Sequence, residues 1–408
     1  MTGLGGDAAP PRLILANLDF EEELRAAFGP RGPLRSLTPP ARQAAAAAGS
    51  LLRVFCQPGD RLWLPAPLDA GRLPELPGLP VPVLEHGPAE VLAPARALLA
   101  WGHGTRAEAL RQRWERESKY SSGQGEEGAS LCGESSEAPG GPLHEALWRV
   151  PQPTLVVVGR VAHRSFALEL ARDLGRALPG SRLVADLGEL EAHLASGDRR
   201  SGVMVSSGRW VVKAPYSAAG RERHLGASPE ELRRPEIRRR LEGLFERHGA
   251  LLFEPWVERL ADFGCAGLLG RTSLLPAGGH GLEVDRRGAF RAIVLPAAPA
   301  GEVHREYDLE RDAEALGLRP VEAELLQASF EATAARLRSA GYTGPFGLDS
   351  YRWRRPDGTA AFQPLGELNP RLTFGLVARC LVERLAGPLA SRGRPLRLSL
   401  AGPAPRGA

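Results

Sequence analysis

Two adjoining β-strand patterns near the C-terminus constrain the fold of this chain more than any other feature. Residues 346–354 and 360–369 are both rich in apolar and β-prone residues, and they are separated by the sequence Arg-Pro-Asp-Gly-Thr. A break of that composition between two strand patterns predicts an antiparallel β-hairpin. We therefore expect the C-terminal part to contain a sheet in which strands that are neighbours in sequence also pair.

Hard oxygen donors lie on one face of this predicted hairpin. Glu367 and Asn369 are two residues apart, so their side chains share a strand face that Asp349 can join from the antiparallel partner. Two carboxylates and an amide suit Mg²⁺, which also takes substrate phosphates as ligands. The pattern predicts a Mg²⁺ site at these three residues, with Mn²⁺ as an alternative cation. Arg371 is predicted on the same face, where it would contact a transferred phosphoryl group or a substrate carboxylate. A surface hairpin with solvated acidic side chains is the alternative.

Lysine is rare in this chain. Of the 52 lysine and arginine residues only Lys119 and Lys213 are lysines. Lys213 ends a strand pattern and leads into a loop of small residues, in which backbone N–H groups can approach a polyphosphate while a compact ammonium supplies charge. The P-loop pattern GxxxxGK[ST] is absent, and a plain β-turn is the alternative. The residues predicted to contact nucleotide phosphates here are Lys213, Ser217, Gly220 and Arg221.

A proline interrupts a second strand pattern, Leu-Leu-Phe-Glu-Pro-Trp-Val, which ends at Val257. Pro255 removes one backbone donor and leaves neighbouring backbone groups available to a ligand, as a purine edge requires. We expect Glu254 or the adjacent backbone to accept from an adenine amine, Val257 N–H to donate to a ring nitrogen, and Asp262 to bind ribose hydroxyls. A structural exit from strand to loop is the alternative.

The order of these motifs along residues 154–386 resembles that of the ATP-grasp superfamily. The resemblance implies an α+β fold in which two subdomains clasp ATP, preceded by a smaller α/β domain. It also implies a ligase that activates a carboxylate as an acylphosphate, releases ADP, and joins the acyl group to an amine or similar nucleophile. A small-molecule kinase on the same fold and a non-catalytic ATP-binding regulator are the alternatives.

The resemblance also implies roles for individual residues, with ATP and Mg²⁺ as cofactors. Members of the superfamily often place a second lysine at the start of an early helix, where this chain has Arg164. Contact of Arg164 with ATP in place of that lysine is one prediction, and an ordinary arginine at a helix start is the alternative. The remaining roles are the adenine hinge Glu254 and Val257, the ribose acid Asp262, and the metal ligands Asp349, Glu367 and Asn369. Lys213 is the phosphate lysine and is expected to be catalytic together with Arg371.

A length of 408 residues suits two or three modules. Strand patterns at 51–56 and 154–159 belong to the first and second of these, and a stretch rich in Ser, Gly and Glu separates them. The predicted parts are an N-terminal α/β domain (1–112), a low-complexity insertion or linker (113–150), the central and small ATP-grasp subdomains (151–257), and the C-terminal subdomain with the metal site (258–400).

Composition restricts the other functional classes. Hydrophobic residues make up 43% and charged residues 25%, and the chain contains no apolar run of the roughly 20 residues that a membrane span needs. Its start does not resemble a secretion signal, so we expect a cytoplasmic protein. Acidic residues are mixed with the arginines, which argues against nucleic-acid binding despite a net charge of +4. Four widely spaced cysteines argue against a zinc site or a disulfide framework. The predicted partners are small carboxylates and amines; the oligomeric state is left open.

Overall fold

The computed structural model contains three β-sheets with helices packed against them, so the predicted α+β class is confirmed. Of the described helices, none is long and apolar enough to cross a membrane. The structure describes residues 11–30, 36–73, 75–76, 78–121, 141–196, 208–217, 222–285, 290–297, 309–389 and 395–399.

The first sheet is formed by four short parallel strands: β1 (Leu13–Leu15), β2 (Arg61–Trp63), β3 (Val83–Glu85) and β4 (Leu98–Ala100). Their order is β3-β2-β1-β4, and β1 at its centre is fully buried, as expected for a parallel sheet covered on both faces. The helices of this region are α1 (Phe20–Phe28), α2 (Pro39–Gly49), α3 (Thr105–Ser121) and α4 (Leu143–Ala146).

Two predictions for this region are wrong. The strand expected at 51–56 is a 3₁₀ helix at Ser50–Phe55, which continues directly from α2. Helix α3 runs to Ser121, so ordered structure extends into the stretch predicted as a 113–150 insertion, and Trp114 is buried in this helix with 3% of its surface exposed. The central part of that stretch, 122–140, lies outside the described residues.

The second sheet is antiparallel, and its strands are β5 (Arg182–Val184), β6 (Trp210–Lys213), β7 (Arg223–Gly226) and β8 (Leu251–Pro255). The order is β5-β8-β6-β7, so the strand that ends in Lys213 lies between two others. The accompanying helices are α5 (Leu155–Ala162), α6 (Arg164–Asp173), α7 (Leu187–Ser196) and α8 (Pro235–His248).

The strand predicted at 154–159 is wrong, because these residues form the start of α5. Thr154 caps that helix, its hydroxyl accepting from Val157 N at 3.4 Å. Val158 and Val161 are buried whereas Val156 is 71% exposed, so only one side of the segment faces the core. A run of β-branched residues favours a strand, but an N-cap and one-sided burial favour a helix, and here the latter prevail.

The third sheet has six strands: β9 (Glu258–Leu269), β10 (Leu274–Val284), β11 (Phe290–Leu295), β12 (Gly344–Arg354), β13 (Ala360–Asn369) and β14 (Leu396–Ser399). Neighbours run antiparallel in the order β13-β12-β9-β10-β11-β14, so the predicted hairpin, now β12 and β13, is confirmed at one edge. Its helices are α9 (Leu309–Ala315), α10 (Pro320–Ser339) and α11 (Phe374–Leu389).

Helix α10 covers one face of this sheet through Phe330. Its ring stacks on Phe346 of β12 with 5.0 Å between the ring centroids, and both side chains are at most 1% exposed. A Cβ atom added at Gly267 of β9 would lie 2.6 Å from the Phe330 ring, so the glycine makes room for it. The opposite face is shared between the cleft and α11, whose Ala378 packs with Ile293 and Leu295 of β11.

We expect Phe330→Ala to lower the free energy of unfolding by about 3–5 kcal/mol, because the large cavity it creates cannot close between strand and helix. Val321→Ala on the same helix is the control: Val321 is 54% exposed, and such surface changes stay within about 0.5 kcal/mol. Urea unfolding of both variants measures the difference. Equal losses would contradict the packing described for α10.

Candidate functional site

A large cleft lies where the three sheets meet. It contains a cavity of about 250 Å³ whose walls include Trp101, Lys213, Asp262, Asp349, Glu367 and Arg371. These side chains come from the end of β4, from β6, from β9 and from the β12–β13 hairpin. Residues more than 250 positions apart in sequence therefore border one cavity, which we call the main cavity.

A row of four residues crosses the third sheet beneath this cavity. In register, Glu367 of β13 faces Asp349 of β12, Asp349 faces Gly264 of β9, and Gly264 faces His280 of β10. Directly opposite residues in a sheet share a face. The antiparallel pairing assumed for Asp349 and Glu367 is therefore present, and His280 lies on the same face two strands away.

The two carboxylates of this row are half-buried and influence each other. Burial, followed by the negative charge of Glu367, raises the pKa of the Asp349 carboxyl above its ordinary value. Burial also acts to raise the pKa of Glu367, but the charges of Arg164 and Lys213 outweigh it and hold that pKa below its ordinary value. The pair thus carries negative charge that its surroundings compensate only in part.

The donor set at this pair fits a hard divalent cation. Asn369 donates from Nδ2 to Asp349 Oδ2 at 3.3 Å, and a side-chain amide can present its oxygen in place of its nitrogen when it rotates. In the described part of the chain no three His, Cys, Asp or Glu side chains are grouped closely enough to hold a metal ion. A cation here would therefore take two carboxylates and one amide and complete its shell with phosphate oxygens and water, as Mg²⁺ commonly does.

Arg164 joins the second sheet to this hairpin. It is the first residue of α6, and its guanidinium donates to Ala214 O at 3.0 Å, Ser217 O at 2.9 Å and Glu367 Oε1 at 3.0 Å. The first two acceptors belong to the segment that follows Lys213. The Arg164 side chain therefore bridges the predicted phosphate loop and the predicted metal ligand Glu367.

Lys213 has a different immediate partner. Its ammonium forms an ion pair with Glu254 of β8, and its side chain is 11% exposed. Glu254 also borders a second, smaller cavity of about 60 Å³, whose lining includes Leu178, Leu252 and Leu365. Lys213 and Glu254 thus form a polar boundary between the main cavity and a smaller, partly apolar one.

Of the other predicted site residues, some border a cavity and others do not. Asp262 borders the main cavity and accepts from Arg259 Nη1 at 2.7 Å. The Val257 side chain instead lies in an apolar cluster with Tyr351 and does not line either cavity. Two predicted phosphate contacts, Gly220 and Arg221, lie outside the described residues.

Arg371 lies just beyond the end of β13 rather than on the strand face on which it was predicted. Its Nη2 donates to Asn369 Oδ1 at 3.0 Å and its Nε donates to Glu21 Oε1 of α1 at 2.8 Å. The guanidinium also lies 5.1 Å from the ring centre of Trp101. It is therefore fixed between the hairpin and the N-terminal domain.

Several cavity residues were missed from the sequence. Glu21 and Trp101 were missed because they reach the cleft only where α1 and the end of β4 contact the segment after β13. Trp256 and Arg259 stand next to the predicted hinge, with the Arg259 guanidinium 6.0 Å from the Trp256 ring centre. The proximity of these two residues to the hinge motif was a usable signal; Glu21 and Trp101 gave none.

His280 was also missed, and it is a neutral imidazole. Burial, followed by the charge of Arg379, lowers its pKa to about 3. Its ring fills the space of two absent side chains, because a Cβ added at Gly264 would lie 2.5 Å from Nε2 and one at Gly375 would lie 2.3 Å from Cε1. Its Nδ1 has no hydrogen-bond partner among the described residues.

Comparison with known proteins gives solved structures alone, since no family model and no curated protein matches the chain. N5-carboxyaminoimidazole synthetase from Staphylococcus aureus is 9% identical over 93% of this chain and 77% of that one, with a TM-score of 0.47. The biotin carboxylase-β-γ-ATP complex from Campylobacter jejuni is 11% identical over 92% and 71%, with a TM-score of 0.46. N5-carboxyaminoimidazole ribonucleotide synthetase from Thermus thermophilus is 14% identical over 89% and 72%, with a TM-score of 0.43.

These neighbours belong to the ATP-grasp superfamily, which the motif order in the sequence resembles. Their TM-scores lie below 0.5 and their identities below 15%, so they carry no conclusion about what this chain does. The cleft residues themselves have to support a function.

We expect His280 to make folding stability depend on pH. An unfolded histidine has a pKa near 6.5 and gains a proton as the pH falls to 5, while the buried His280 stays neutral, so stability is present above pH 6.5 and is lost below it. Between pH 7 and pH 5 the wild type should lose roughly 2 kcal/mol more than His280→Gln. Urea unfolding at both pH values measures this. His86→Gln, at an exposed histidine, controls for replacing a histidine, and equal pH slopes for His280→Gln and wild type would contradict the burial.

Proposed function

We propose that this chain is an ATP-grasp enzyme that activates a carboxylate as an acylphosphate with release of ADP, and then joins the acyl group to an amine or similar nucleophile. One observation carries the proposal. Arg164 contacts both the segment after Lys213 and the Glu367 carboxylate, so cationic groups suited to phosphates face carboxylates suited to a divalent cation across one cleft.

In this proposal the nucleotide lies between the second and third sheets. Lys213, Arg164 and Ser217 bind its phosphates, together with Gly220 and Arg221. Glu254 borders the smaller cavity and accepts from the adenine amine there, where leucine side chains suit the faces of a base. Asp262 binds the ribose, whereas Val257 lines neither cavity and is given no contact with the nucleotide.

Asp349, Glu367 and Asn369 are proposed to hold Mg²⁺, or Mn²⁺ in its place. Such a cation neutralises charge on the nucleotide phosphates when bound. Its addition would also relieve the repulsion between the two facing carboxylates. The amide of Asn369 would then turn its oxygen, now bonded to Arg371, toward the pair.

The reaction needs positioned charge rather than a nucleophilic side chain. An oxygen of the substrate carboxylate forms a bond to the γ-phosphorus while the bond from that phosphorus to the ADP oxygen breaks. The amine nitrogen then bonds to the acyl carbon and phosphate leaves, while the amine proton passes to phosphate or solvent. Arg371 is held by Glu21 Oε1 and Leu372 O before substrate binds, so these contacts position it to stabilise the developing charge.

Product analysis tests this proposal. The purified chain with MgATP and a panel of carboxylates should release ADP and phosphate when an amine is added, and hydroxylamine should trap the activated acid as a hydroxamate. Mass spectrometry identifies the product. A stable phosphoester would support a small-molecule kinase instead, and ATP binding without ADP release across the panel would support a non-catalytic regulator.

Glu367→Gln is expected to lower kcat by at least about 100-fold, since it removes one charge at the phosphoryl-transfer site while keeping the size of the side chain. Circular dichroism should show an unchanged fold. Glu258→Gln is the matched control, because Glu258 is on β9 with a side chain 65% exposed. Full activity in Glu367→Gln would remove the proposed metal site from the mechanism.

A further inference from the structure

The main cavity has an apolar end that the nucleotide and metal roles do not use. Its walls there are Trp101, Leu282, Val284, Phe290, Ile293 and Phe374. Trp101 and Ile293 are almost fully buried, whereas Phe290, Phe374 and Leu282 keep part of their surface open to the cavity. An unfilled apolar wall inside a cleft is unfavourable in water, so it favours an apolar group of a ligand.

Three rings connect this end to Arg371. The Arg371 guanidinium lies 5.1 Å from the Trp101 ring centre, Trp101 lies 4.8 Å from Phe374, and Phe374 lies 5.8 Å from Phe290 at an interplanar angle of 11°. The Arg371 guanidinium, which can bind a carboxylate, therefore lies directly beside an aromatic surface. This arrangement matches a molecule in which a carboxylate and a bulky apolar group are close together.

Charge is distributed unevenly along the cavity. The charged side chains that line it are Glu21, Arg164, Lys213, Arg223, Arg259, Asp262, Asp349, Glu367 and Arg371. Of these, Asp262 of β9 faces Leu282 of β10 in register and so borders the apolar end, but its carboxylate is already paired with Arg259. His280 lies on the same strand as Leu282 and is the polar side chain beside that end. It is 3% exposed and neutral, and its Nδ1 has no partner among the described residues. A charged substituent would lose its hydration here without gaining a counter-charge.

We infer that the apolar end is the side-chain subsite for the activated carboxylate, and that this acid carries an uncharged aromatic or branched aliphatic group. The inference rests on the proposed function, because it takes Arg371 and the metal hairpin as the place where the carboxylate reacts. Arg371 has five N–H donors, and its described contacts with Glu21, Asn369 and Leu372 use three of them. The remaining donors can bind the carboxylate.

The first experiment ranks ligands by binding rather than by turnover. Isothermal titration calorimetry on the full chain saturated with MgADP compares phenylalanine, leucine, glycine and aspartate, which share one backbone and differ in side chain. Phenylalanine and leucine are expected to bind about 10- to 100-fold more tightly than glycine, as burial of one large apolar side chain provides. Aspartate should bind no better than glycine.

The second experiment removes one ring from the apolar end of the main cavity. Phe374→Ala is expected to weaken phenylalanine binding at least about 10-fold and glycine binding less than about threefold, since only phenylalanine reaches the ring. Phe374→Leu keeps most of the volume and should lose less, which provides a readout if the alanine variant fails to fold. Phe28→Ala is the matched control, because Phe28 is 40% exposed on α1 and is not part of the cavity wall.

The outcomes separate the two proposals. If the chain does not bind MgADP, the proposed function fails. If MgADP binds but aspartate is preferred, no acid of the panel binds, or Phe374→Ala leaves phenylalanine binding unchanged, the subsite inference is overturned while the nucleotide site stands.

Discussion

Two half-buried carboxylates, Asp349 and Glu367, face each other across one hairpin, and the cleft depends on how their charge is compensated. Removing carboxylates from water is costly unless a cation is near. Arg164 supplies one to Glu367, and because it also binds Ala214 O and Ser217 O, the same guanidinium positions the segment after Lys213. Arg164 therefore compensates the charge of Glu367 and also holds a segment of the proposed nucleotide site.

The first sheet and α1 take part in this arrangement rather than merely preceding it. Glu21 holds Arg371, and Leu372 N donates to Trp101 O at 2.9 Å, so the segment after β13 is tied to the first sheet by a side-chain and a backbone bond. Trp101 then forms one wall of the main cavity. In the proposed function, the domain that comes first in sequence would therefore help to choose the substrate, while the later sheets handle the nucleotide.

The sequence could predict what depends on local periodicity. The alternation of β12 and β13 predicts that Asp349 meets Glu367, and a strand that ends at Lys213 was also predicted. Residues 154–159 were misjudged because a β-branched run looks the same whether one side or both sides are buried, and only tertiary packing decides. Glu21, Trp101 and His280 reach the cleft from three elements that no local pattern links. Gly264 also has a structural reason that the sequence does not reveal, because its missing side chain leaves room for the His280 ring beside β12, the strand of Asp349.

The cations of the proposed phosphate site already have partners inside the protein. Lys213 is paired with Glu254, and Arg164 with Glu367. An incoming polyphosphate would have to compete with these carboxylates, and each displaced acid would be left half-buried and uncompensated unless something replaced the lost charge. For Glu254 the adenine amine would supply a hydrogen bond but no charge, and for Glu367 the replacement would be a divalent cation that arrives with the phosphates. If the nucleotide bound without the cation, Glu367 and Asp349 would face each other with less positive charge nearby. The ion pairs within the protein therefore give a physical reason for the nucleotide and the metal to bind together.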